Sequence, residues 1–136
     1  MNMAKMDKQA IVGYWLDTAQ RDYETMQHLF QSGDYHWALF MGHLVLEKLF
    51  KALYVQKHDD NPPRTHDLGR LAEKCGLKPD EAMLDKLDVV SRFNLSVRYP
   101  DYQQQFYKTC TKDFSLESLK SIDEVRSWLQ NVIRQL

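Results

Sequence analysis

Apolar positions recur every three or four residues along most of this chain, and one stretch departs from that rhythm by being apolar all round. From Ile11 to Gln31 the apolar residues are Val12, Trp15, Leu16, Ala19, Tyr23, Met26 and Phe30, which is the period of an amphipathic helix. Ser32-Gly33-Asp34 is expected to end it and begin the next. Gly33 suits the left-handed position after a helix, and Asp34 can accept from the free amides that follow. From Asp34 to Lys57 the apolar residues fall on every side of a helical wheel, the pattern of a helix buried on most of its surface. So short a connection turns this second helix back antiparallel on the first.

Asp59-Asp60-Asn61-Pro62-Pro63 then forms a loop. Thr65 is the expected N-cap of a short helix with Asp67 in its first turn. Leu68, Leu71, Ala72 and Cys75 make its apolar face, and Gly76-Leu77 its Schellman ending. Pro79 opens a helix carrying Met83, Leu87, Val90, Asn94 and Val97, which ends near Arg98 because Pro100 follows. Tyr99 to Phe114 reads as a surface loop with room for one helical turn. Ser115 is the expected cap of the last helix, stapled by Phe114 and Leu119. No segment alternates with period two for long enough to suggest a sheet. The expected fold is all-α: an up-and-down antiparallel bundle of four longer helices and one short one. It is a single domain over residues 11–136, preceded by a flexible stretch over residues 1–10.

Composition narrows the function more than the fold. At 136 residues and 43% hydrophobic content the chain can bury one core, and a net charge of -1 gives no global pull toward nucleic acid or an anionic membrane. A nucleic-acid contact would have to come from a local patch. No apolar run approaches a membrane span, and Lys5, Asp7 and Lys8 interrupt any signal-peptide pattern. Cys75 and Cys110 read as two free thiols of a cytoplasmic protein. No Cys/His cluster has zinc spacing, and neither a metal nor a cofactor is expected.

Within the central helix, His36, His43, Glu47 and Tyr54 fall on one line, with Lys51 beside it. A polar line on an apolar helix faces water, a partner or a site. The plain alternative is a solvated seam with an ordinary Glu47–Lys51 pair, worth a few tenths of a kcal/mol. Two other features carry chemistry. His66 lies in Thr65-His66-Asp67-Leu68, where it can serve a site or merely satisfy backbone groups. Arg92-Phe93-Asn94-Leu95-Ser96-Val97-Arg98-Tyr99-Pro100-Asp101 gathers arginines, an amide and tyrosines near one helix end, a set suited to phosphate and base contacts. The structural alternative there is Arg98 on its own helix carbonyls and Pro100-Asp101 as a turn.

In order, an antiparallel helix pair, Glu47-Lys48-Leu49-Phe50-Lys51-Ala52-Leu53, a loop, Thr65-His66-Asp67-Leu68 and Arg98-Tyr99-Pro100-Asp101 resemble the HEPN domain family. The resemblance is greatest to stand-alone prokaryotic members encoded beside a minimal nucleotidyltransferase, and it runs from about Ile11 to the C-terminus. It implies a homodimer with a cleft between subunits, and for many members metal-independent RNase activity. Their signature is an arginine, four to six residues, then a histidine. This chain departs from it, since Arg98 stands where the histidine would follow Arg92 and no later histidine exists. Arg21 and His28 have the right gap on the wrong helix.

The resemblance implies a protein that binds nucleotide or RNA through Arg92, Asn94, Arg98 and Tyr99, with Lys48, Lys51 and His66 nearby. It would act with the transferase in a toxin–antitoxin-type pair, with Tyr99 and Tyr102 as candidates for modification. The alternatives are an RNase toxin that borrows a histidine such as His43 or His66, and a helical interaction module without catalysis.

Overall fold

The computed structural model describes residues 5–136, with side chains from Asp7 onward. Six helices make up the described residues: α1 (Lys5–Gln31), α2 (Tyr35–His58), α3 (Leu68–Lys74), α4 (Glu81–Arg98), α5 (Pro100–Thr109) and α6 (Lys112–Arg134). They form the all-α bundle expected. Residues 1–4 of the expected flexible start lie outside the described residues, and α1 is already helical from Lys5, ahead of Ile11.

α2 is the hub, and every other helix touches it. Leu39, Leu46, Phe50 and Leu53 are fully buried along it. Met26 of α1, Leu68 and Leu71 of α3, Leu87 of α4, and Ile122 and Leu129 of α6 close around them. At Gly42 the neighbours come close enough that an added Cβ would lie 2.4 Å from Ile122 Cδ1 and 3.2 Å from Met26 Sδ. The α1–α2 turn follows the sequence reading. Gly33 takes φ +82, and Asp34 precedes α2, although its side chain makes no capping bond.

Three local expectations need correction. The segment after Tyr99 is a helix rather than a loop. Tyr99 is extended, as a residue before proline must be, and Pro100 occupies the first turn of α5, where its missing N–H is no loss. Phe106 anchors α5 against Phe93, with ring centroids 5.3 Å apart. α6 begins at Lys112, capped by Thr111, whose hydroxyl accepts the Phe114 amide at 3.2 Å; Ser115 is buried inside the helix and caps nothing. α3 is capped by Asp67, which accepts the Arg70 amide, and not by Thr65. Its Schellman ending is as expected, with Leu77 N–H on the Ala72 carbonyl and Gly76 N–H on that of Glu73.

Candidate anion site where α2, α3 and α4 meet

The polar line of α2 divides among three surroundings. At its N-terminal end His36 meets Tyr107 of α5, and at its C-terminal end Tyr54 stacks on His58. Between them His43 and Glu47 are buried under the loop that carries His66.

That loop is fastened by its own short-range chemistry. The Thr65 hydroxyl accepts the Asp67 amide, Asp67 caps α3, and the Leu68 amide donates to Ser91 Oγ of α4 at 2.9 Å. His66 is thereby held just before α3, and α2 grips it twice. His43 Nε2 donates to the His66 carbonyl at 2.9 Å, and His66 Nδ1 donates to Glu47 Oε1 at 2.6 Å. The other Glu47 oxygen accepts from Lys51 Nζ at 2.9 Å, and Lys51 also lies over the Trp15 ring of α1.

The charges follow from these contacts. Burial pushes the Glu47 carboxyl up, but the hydrogen bonds from His66 and Lys51 and the nearby positive charge outweigh it and hold the group below its ordinary value. Glu47 is therefore an anion at neutral pH. His43 is pushed down, chiefly by burial, against the pull of the His66 carbonyl and Glu47; the Arg98 guanidinium lies near enough to add to the lowering. A neutral His43 with its proton on Nε2 leaves Nδ1 as a lone pair, and that atom is buried without a partner. With Nδ1 of His66 engaged by Glu47, Nε2 is the free nitrogen of a half-exposed ring.

α4 supplies the cation. Asn94 is buried and its Oδ1 accepts from Arg98 Nε at 3.0 Å, so a fixed amide orients the guanidinium at the helix end. The structure thus brings together His66, Asn94, Arg98 and Lys51 around His43 and Glu47. Tyr99 follows Arg98 in an exposed position, edge-on to Tyr102. Two other expected members lie elsewhere. Arg92 pairs with Asp88 at 2.6 Å, because six residues along a helix turn it about 120° away from Arg98. Lys48 pairs with Asp22 of α1 at 2.6 Å.

His43 and Glu47 form the buried base of this cluster. Their i, i+4 spacing on an apolar helix was the signal for them, and the ordinary Glu47–Lys51 pairing was the reading that masked it. Ser91 carries no sequence signal, since a serine on a helix is unremarkable until its partner is seen. Both cysteines are free and buried. Burial pushes Cys75 up to about 11, against Lys57, and Cys110 up to about 12, against Ser115, so neither offers a thiolate at neutral pH.

Fold and cluster together define a helical-bundle protein with a buried carboxylate–histidine pair beside an oriented arginine. The sequence model of the HEPN domain matches residues 12–132, nearly the whole described chain, and the chain belongs to the HEPN domain family. Among solved structures it is similar to TT1696 from Thermus thermophilus, with a TM-score of 0.75 and 19% identity over 96% of this chain and 98% of that one. It is also similar to ST0689, described as an archaeal HEPN homologue, with a TM-score of 0.73 and 23% identity over 90% of this chain and 97% of that one. No curated protein matches it. No helix of the described residues is long and apolar enough to cross a membrane.

Proposed function

We propose that this HEPN protein binds a phosphate of nucleotide or RNA at the corner made by Arg98, Asn94 and His66, with Tyr99 at its rim. It works as a homodimer with a minimal nucleotidyltransferase in a toxin–antitoxin-type pair, and Tyr99 and Tyr102 are exposed for modification by that partner. The observation that carries the reading is the Asn94–Arg98 bond. A buried amide fixes a guanidinium at the helix end, which pre-arranges it for an anion. Arg92 and Lys48, already paired to carboxylates, take no part. Arg98→Ala is expected to weaken binding of a fluorescent single-stranded RNA at least about tenfold without lowering the melting temperature. Equal binding by the variant sinks the site.

The Glu47–His66 pair favours a second reading, metal-independent RNA cleavage. His66 Nε2 would take the proton of a ribose 2′-hydroxyl. The 2′-oxygen would attack the adjacent phosphorus, the P–O5′ bond would break, and the 5′-oxygen would take a proton from water, giving a 2′,3′-cyclic phosphate. Such proton transfer is worth ~10²–10⁴-fold in rate. With excess protein and EDTA, tRNA should yield cyclic-phosphate ends, and His66→Ala should abolish them. RNA left intact by the native protein removes this reading and leaves the binding one standing.

A further inference from the structure

The N-terminal end of the polar line carries a second feature. His36 lies seven residues before His43 on the same line of α2 and meets Tyr107 edge-on, with centroids 5.1 Å apart and planes at 88°. Together with Gly33, Tyr35, Lys108 and Cys110 they line a cleft of about 300 Å³ between the α1–α2 turn and the C-terminal end of α5. Tyr107 is 65% exposed, so most of its ring has no protein cover. Trp37, itself 39% exposed, brings its ring 5.2 Å from that of His36. Open aromatic faces next to a lysine at the mouth of a cleft are an arrangement on which a nucleobase stacks while its backbone meets a cation.

We infer that this cleft is a nucleobase subsite, holding one unstacked base of a single-stranded RNA against Tyr107 while a phosphate of the same strand sits at Arg98. The inference rests on the phosphate contact proposed above and adds a separate base-stacking contact to it. His36 beside the cleft and His43 beside Arg98 are about 10 Å apart along α2, being seven residues at ~1.5 Å each, a rise that a short extended strand covers. A base inside a duplex presents no free face to Tyr107, so double-stranded RNA is excluded from the cleft. Stacking reads the π-face that every base has, so tolerance of base identity is expected.

Fluorescence anisotropy on the full chain tests this with labelled oligouridylates and an RNA duplex. An octanucleotide is expected to bind at least about tenfold tighter than a dinucleotide, and the duplex more weakly than the octanucleotide. Tyr107→Ala should abolish the gain from length and leave dinucleotide binding unchanged. Because Tyr107 is exposed, the variant should keep the native circular dichroism and melting curve. Lys108→Glu should weaken the octanucleotide in the same assay. Trp37 supplies a direct readout: the octanucleotide should quench its emission, and Trp37→Phe should remove that quench. Octanucleotide binding unchanged by Tyr107→Ala, or a duplex bound as tightly as the single strand, overturns the subsite. If Arg98→Ala still weakens binding in that case, the phosphate reading survives alone; if Arg98→Ala also has no effect, both fall.

Discussion

Gly42 and His43 are neighbours in α2, and they show how differently the two sides of one helix are built. On the side facing α1 and α6, Gly42 contributes no side chain at all, and Met26 and Ile122 fill the space a Cβ would need. On the side facing α3 and α4, His43 contributes a polar ring that is as fully buried as any leucine of the core. The first side is held by shape and apolar area. The second is held by a chain of directed bonds through His43, His66, Glu47 and Lys51. A protein that needed only stability would do as well with apolar packing on both sides, since replacing buried ion pairs by hydrocarbon is often neutral or stabilising. The polar side thus fits the support of the proposed site better than a source of stability.

Glu47→Ala tests that contrast most severely. It strands Lys51 and His66 beside a buried gap, and a loss of about 3–5 kcal/mol in urea unfolding at neutral pH is expected. A loss under about 1 kcal/mol would rank the cluster with surface ion pairs and erase the distinction between the two sides. On the apolar side, Gly42→Ala forces Ile122 to move, and overpacking of this kind costs about 1–3 kcal/mol by the same measurement. Stability left unchanged would mean that α6 is free to shift.

Acid should act on the polar side through His43 and Glu47, with a further contribution from His36, which burial also pushes down at the other end of the line. His43 binds its proton less readily when folded, so as the pH falls below 6.5, the ordinary histidine value, the unfolded chain gains protons that the folded one refuses, and stability drops. Glu47 is also held below its ordinary value. The stability it contributes is present above pH 4.5 and is lost as the pH falls further, through the folded value. His43→Gln can still donate to the His66 carbonyl but takes up no proton. Denaturant midpoints measured between pH 7 and 5 should therefore fall less steeply for this variant than for the native chain. Equal slopes would place the acid sensitivity elsewhere. The smallest effect is expected from Arg92→Ala, whose ion pair with Asp88 is 70% and 63% exposed. It should change stability by no more than about 0.5 kcal/mol and leave RNA binding intact. A tenfold loss of RNA affinity there would return Arg92 to the site.

The same contrast explains what could be read before any coordinates. Helices α1, α4 and α6 are visible because burial on one face imprints a period of three to four on their apolar residues, and α2 because it is a long run apolar all round with no proline inside. α5 escaped because its ten residues bury only Phe106, leaving too few apolar positions to reveal a period, and because Pro100 stops one helix while starting the next. In the proposed site, Asn94 and Arg98 were legible as members of one group of arginines, an amide and tyrosines at a helix end, but the bond between them was not. Arg92 was not separable from Arg98 by composition, although the helical angle between them already set them apart. The grip on His66 was illegible. It joins residues 19 and 23 positions apart, and one of its two anchors is a backbone carbonyl, which has no letter of its own in a sequence.

That carbonyl has a consequence for how this position can change. His43 holds the main chain at residue 66, and it would do so whatever side chain stood there. The loop keeps this main-chain anchor while the imidazole is exchanged, and what the exchange removes is the partner of one Glu47 oxygen, with Lys51 still on the other. Position 66 is in that sense a socket, where chemistry can be tried and discarded while the main chain stays held.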